Sequence, residues 1–189
     1  MSDIVLKNVS KKFKDNIVFD NFSCTIKEGK ITCIEAPSGN GKTTLINMIA
    51  GIYTPDSGEI TGIPEKLAFV FQEDRLCENF SVISNIKLVT GKTKTQEEIA
   101  NHLRELKIDD LSKPVRKFSG GMQRRVAIAR AICYDADCII LDEPFKGLDP
   151  ALKKDVMDYI IKYTKGKTVI CVTHDHSDTE YFGANLIII

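Results

Sequence analysis

The stretch that most constrains this chain is Ala36-Pro37-Ser38-Gly39-Asn40-Gly41-Lys42-Thr43-Thr44. It follows a short apolar run, Ile31-Thr32-Cys33-Ile34, and leads into a helix-like apolar segment over residues 45–49. A strand, a glycine-rich loop and a helix in that order predict a phosphate-binding loop. Gly39 and Gly41 let successive backbone N–H groups turn inward around phosphate oxygens, and the positive end of the helix points to the same place. Lys42 adds an ammonium within reach of the β- and γ-phosphates, and the Thr43 hydroxyl is placed to ligate Mg²⁺. Ser38, Asn40 and Thr44 complete the loop. Ala36, a very small side chain, stands where the usual pattern begins with glycine. A chain built around this loop is expected to bind a nucleoside triphosphate such as ATP.

The rest of the composition narrows the setting. A chain of 189 residues predicts one domain with room for a small inserted subdomain. Twenty-six basic residues balance 26 acidic ones, so net charge offers no attraction to nucleic acid or to an anionic surface. No apolar run reaches the length of a membrane span, and Met1-Ser2-Asp3 lacks the basic and apolar parts of a signal peptide. A cytosolic protein is the expectation. Six cysteines, at 24, 33, 77, 133, 138 and 171, form no C-x-x-C pair, and four lie in apolar runs. They are read as reduced core thiols.

Residues 4–9 and 17–26 carry strand-type patterns broken by the turn-like Lys14-Asp15-Asn16, which predicts an antiparallel sheet ahead of the phosphate loop. A strand-like Leu67-Ala68-Phe69-Val70-Phe71 is expected to end at Gln72. From there to about residue 117 the chain turns polar, with helical spacing at Ile99, Leu103 and Leu106 and a capping box at Thr95 and Glu98, which predicts a helical insertion over 73–117. Strands return at 138–141 and 168–172 around a helical stretch, 151–163. The last apolar run, 186–189, closes the chain, and no regulatory domain is expected. Alternating strands and helices make the fold class α/β, a P-loop nucleotide hydrolase with a mostly parallel sheet. To it are added an N-terminal antiparallel β subdomain and a small α-helical subdomain, all within one domain over 1–189.

Two features give the loop its chemistry. Cys138-Ile139-Ile140-Leu141 ends in Asp142-Glu143, which puts two carboxylates at the C-terminal end of a buried strand, where ligands bind in open α/β sheets. Asp142 is expected to hold Mg²⁺, and Glu143 to orient or deprotonate the water that attacks the γ-phosphate. The second feature is Phe118-Ser119-Gly120-Gly121-Met122-Gln123-Arg124-Arg125-Val126-Ala127-Ile128-Ala129-Arg130-Ala131, a hydroxyl and two glycines at the start of a long helix.

That segment resembles the signature sequence of ATP-binding cassette (ABC) ATPases, with Phe118 in place of the usual leucine. Other pieces follow in family order. Gln72 resembles the Q-loop glutamine, a metal-contacting and catalytic position, and Lys146-Gly147-Leu148-Asp149 resembles the D-loop, with Lys146 in place of a small residue. His174, in Val172-Thr173-His174-Asp175, resembles the switch histidine. Phe13 resembles the aromatic that stacks on adenine, and core packing is an equal alternative for it.

The resemblance implies an ATPase subunit of an ABC transporter, more like importer than exporter subunits, on the cytoplasmic face of the membrane. It also implies a head-to-tail pair of cassettes, with identical chains as the simplest case. Lys42, Thr43, Gln72, Asp142, Glu143 and His174 would act from one copy, and Ser119, Gly120, Gly121 and Asp149 from the other. Integral membrane subunits would receive the motion around Gln72 and the helical insertion. The competing class is a soluble ABC ATPase in iron-sulfur assembly, translation or DNA repair. A small-molecule kinase would need an acceptor site and lid, and would leave the signature segment without a purpose.

Overall fold

The computed structural model describes residues 2–37 and 39–189. Three strands, β1 (Ile4–Phe13), β2 (Asn16–Ile26) and β4 (Ser57–Thr61), form an antiparallel sheet in the order β2-β1-β4. The other five, β3 (Ile31–Glu35), β5 (Leu67–Val70), β6 (Cys138–Asp142), β7 (Thr168–Thr173) and β8 (Asn185–Ile188), form a parallel sheet in the order β5-β6-β7-β3-β8. The expected division into an antiparallel N-terminal sheet and a parallel main sheet is what the chain adopts.

The central strands β6 and β7 are buried along their whole length, which is why they read as unbroken apolar runs rather than alternating ones. Alternation survives in where the side chains go. On one face, Cys33, Ile139, Leu141, Val169 and Cys171 join a core shared with the helices α2 (Val82–Thr90), α3 (Gln96–Glu105), α4 (Gly120–Cys133) and α5 (Pro150–Tyr163). On the other, Ile34, Cys138, Ile140, Ile170 and Val172 pack with α1 (Lys42–Ile49) and with Ile4, Leu6, Val9 and Phe19 of the antiparallel sheet. The phosphate loop thus lies beside both sheets.

Register decides what meets at the loop. Glu35, the last residue of β3, pairs with Thr173 of β7, and Asp142 of β6 pairs with Val172. Three parallel strands therefore end in one row, and whatever follows them, the phosphate loop, Glu143 and His174, emerges along one edge of the sheet.

Several local expectations change. Helix α1 begins at Lys42 rather than Leu45, because Gly41 breaks the chain into it with φ of +88°. Strand β5 stops at Val70, so Gln72 lies two residues beyond the strand instead of ending it. A last helix, α6 (His176–Phe182), had no apolar periodicity to announce it. The Thr95–Glu98 capping box is present in both directions. Cys77 is exposed, unlike Cys33, Cys133, Cys138 and Cys171, which are buried as thiols.

Candidate functional site

An open cleft of about 440 Å³ is lined by Phe13, Gly39, Gly41, Lys42, Thr43, Thr44, Gln72, Asp142, Glu143 and His174. The α1 start explains its base. Its N-cap, Gly41, supplies no side-chain cap, so the first N–H groups of the helix keep their donors for a ligand. A Cβ at Gly41 would meet Val18 Cγ1 at 2.7 Å, besides the cost of its left-handed backbone, so glycine is required there. At Gly39 a Cβ would meet nothing within 4 Å, which leaves the hollow side of the loop open. Lys42 Nζ donates to the carbonyls of Ala36 at 2.6 Å and Pro37 at 3.2 Å. Asn40 closes the turn by donating its N–H to Pro37 O at 3.3 Å. Ser38 lies outside the described residues.

The acids stand opposite. Burial is the main reason the Asp142 carboxyl is pushed above the usual carboxylate range; the neighbouring Glu143 charge adds to it, against the pull of Arg124 and Lys42. Two carboxylates in one cleft favour a cation between them and the phosphates. Among the described residues no three His, Cys, Asp or Glu side chains gather into a metal cluster. The oxygen donors of Thr43 and Asp142 in this cleft suit a hard cation that is also held by substrate phosphate. Glu143 has φ of +49°, a conformation that costs about 1–2 kcal/mol for a residue with a side chain. Its N–H donates to Val172 O at 3.0 Å, and its Oε2 lies 2.8 Å from His174 Nδ1. Strain at this position fits a group held by its surroundings for use. Phe13 is 40% exposed, so core packing does not claim it; it meets Tyr53 edge-on with ring centroids 5.4 Å apart.

Ser119, Gly120, Gly121 and Asp149 are not in this cleft. They line a second one, of about 620 Å³, with Gln72, Asp74 and Arg124. Ser119 caps α4, accepting from Met122 N–H at 3.4 Å, and Asp149 caps α5, accepting from Leu152 N–H at 3.0 Å. Gly121 sits close to the D-loop, since a Cβ there would lie 3.3 Å from Leu148 Cδ2 and 3.4 Å from Gly147 O. Gln72 borders both clefts.

What joins the clefts is a pair of arginines that sequence reasoning passed over. Arg124, only 5% exposed, donates through Nη1 to Phe71 O at 2.5 Å, through Nη2 to Gln72 O, and pairs with Asp74 at 3.1 Å. Arg130 donates to the carbonyls of Asp74 at 3.0 Å and Arg75 at 2.8 Å. Both project from α4, so the loop that carries Gln72 is bolted to the signature helix. The available signal was three arginines, Arg124, Arg125 and Arg130, in a helical run with many apolar residues, where a charge needs a partner.

Comparison with known proteins decides the family. The ABC transporter family model matches residues 19–146. The chain belongs to the ABC transporter family. It is 34% identical to the taurine import ATP-binding protein of Roseobacter denitrificans, across 100% of this chain and 78% of that one. It is equally identical to the glutamate/aspartate import ATP-binding protein of Escherichia coli, across 91% and 80%. Its fold superposes on a dimeric bacterial ABC transporter cassette with a TM-score of 0.87 at 28% identity, covering 98% of this chain and 94% of the other. A post-hydrolysis form of that cassette, bound to ADP and Pi, gives 0.85 at the same coverage. This ABC cassette is therefore an ATP-binding subunit and an ATPase. No helix among the described residues is long and apolar enough to cross a membrane.

Proposed function

We propose that this ABC ATPase powers solute import from the cytoplasmic face of a membrane, with two identical chains closing head to tail around ATP. The observation that carries the reading is the division of the site. The phosphate loop, Asp142, Glu143 and His174 line one cleft, while Ser119, Gly120, Gly121 and Asp149 line another, and neither set is a complete site alone. A head-to-tail pair would bring the first cleft of one copy against the second of its partner. The curated relatives named above are import subunits, which supports the direction of transport.

In this reading Phe13 stacks on the adenine, and residues 39–44 wrap the phosphates with backbone N–H groups and the Lys42 ammonium. Mg²⁺, held by Thr43, Asp142 and Gln72, would neutralise charge shared between the β- and γ-phosphates. Glu143 orients the attacking water and accepts its proton, and His174, hydrogen-bonded to that carboxylate, holds it in place and faces the γ-phosphate. Hydrolysis removes the anion that two helix starts share, and the pair opens. Residues 73–117 form the helical subdomain, and the Q-loop beside it passes the motion to membrane subunits.

The test is Glu143→Gln. Steady-state ATPase activity should fall by about 100-fold or more while ATP affinity changes less than about threefold. The same variant should shift from monomer to dimer when ATP is added. Undiminished turnover would remove Glu143 from its assigned role, and a monomer at every ATP concentration would sink the paired site.

A further inference from the structure

The switch histidine is a surface group: its side chain is 72% exposed, and Nδ1 meets Glu143 Oε2 at 2.8 Å. An exposed ring holds its place only as well as its backbone does. That backbone is bracketed on both sides by one charge cluster gathered around the buried Asp178. Thr173 Oγ1 donates to Asp178 Oδ2 at 2.7 Å and accepts from Asp175 N–H at 3.1 Å. Asp178 is 2% exposed and Asp175 caps α6, accepting from Ser177 N–H at 3.0 Å. Both carboxylates converge on a single cation, Lys153, which donates to Asp175 Oδ2 at 2.7 Å and pairs with Asp178.

Lys153 comes from a different element. It lies in the first turn of α5, its N–H donating to Asp149 O at 2.8 Å. Its ammonium also sits 5.7 Å from the ring centroid of Phe145, two residues beyond Glu143. These groups line a cleft of about 620 Å³ that also reaches Glu143 and His174. One side chain thus connects the D-loop helix, the segment after Glu143 and both neighbours of His174.

We infer that Lys153 is a positioning residue, a strut that holds His174 against Glu143 and ties its position to the D-loop at Asp149. The inference rests on the proposed roles of Glu143 and His174. Its physical basis is charge: with Asp178 buried and Asp175 beside it, only a cation at this place keeps the turn at residues 173–175 closed. If that turn loosens, the histidine swings off the reacting centre without any change in the phosphate loop.

The experiment compares Lys153→Met, Lys153→Arg and the double variant Lys153→Met with Asp178→Asn, with Glu143→Gln alongside. Lys153→Met keeps the apolar stem and removes the charge. Its kcat should fall roughly 10- to 100-fold, with KM for ATP changed less than about threefold, as expected for a small displacement of a catalytic group. Lys153→Arg should recover most of the loss. The double variant removes the stranded carboxylate, so it should regain thermal stability but not kcat. Amide exchange at Asp175 should accelerate in Lys153→Met while that of Ile170 stays slow, a readout that does not depend on turnover. Unchanged kcat or unchanged exchange at Asp175 in Lys153→Met overturns the inference. So does a double variant that regains kcat together with stability. Turnover persisting in Glu143→Gln would instead fault the site assignment beneath it.

Discussion

The two clefts are built around the same device, a glycine-flanked helix start, and they use it in opposite ways. Helix α1 begins at Gly41 with no side-chain cap, so its donors stay available and the loop before it bends around open space. Helix α4 begins at Ser119, whose hydroxyl already accepts from Met122 N–H, although at 3.4 Å that bond is long. The first leaves its helix-start donors free for an anion. The second is a cleft whose helix start is already partly satisfied, which in the proposed pairing finishes a site that another copy brings. The difference teaches that similar glycine patterns gain their meaning from what caps them and what they face.

Gly41→Ala against Gly120→Ala breaks or confirms that contrast most sharply. At Gly41 the new methyl would meet Val18 Cγ1 at 2.7 Å with φ of +88°, whereas at Gly120 it would meet nothing within 4 Å. Strain and overpacking of roughly 2–3 kcal/mol should cut ATP affinity of the isolated chain by about 30- to 150-fold in the first variant. The second should bind ATP within about twofold of wild type. Calorimetric titration decides it, and equal affinities for the two variants would refute the contrast.

Arg124→Leu probes the bolt between the clefts. It leaves Asp74, whose carboxyl burial already pushes above the usual range, without its buried cation, and frees two loop carbonyls. A loss of about 3 kcal/mol is expected, lowering the thermal midpoint by roughly 6 to 12 °C. A midpoint equal to wild type would mean that the Q-loop does not depend on α4.

Ser119→Ala has the smallest effect. The cap at 3.4 Å should contribute no more than about 0.5–1 kcal/mol, seen in denaturant unfolding, with ATP affinity of the isolated chain unchanged. A drop in that affinity would show that the second cleft acts within one chain, against the division proposed.

The parts legible in the sequence share one property, that they are local. The phosphate loop, the Asp142-Glu143 pair at a strand end, the Thr95–Glu98 capping box and the signature segment each lie within a few consecutive residues, and each is where it was expected. Gln72 was mislocated by two residues relative to its strand, because the apolar pattern runs on to Phe71 after the ladder stops at Val70. Phe13 could not be assigned from its pattern, since a strand phenylalanine reads alike on either face; its exposure sets core packing aside. Helix α6 was missed because seven residues give too little periodicity, and a cap by Asp175 starts it instead.

By itself, then, the sequence determined that a nucleotide is bound and which short motifs surround it, because backbone conformation and strand ends follow from neighbouring residues. Only the tertiary structure decided how those motifs are held together. Arg124 reaches a carbonyl 53 residues away, Lys153 reaches an aspartate 22 residues away, and Glu143 takes a strained backbone to face His174. The physical reason is that a buried charge is tolerated only where the folded chain brings it a partner, and no local pattern names that partner.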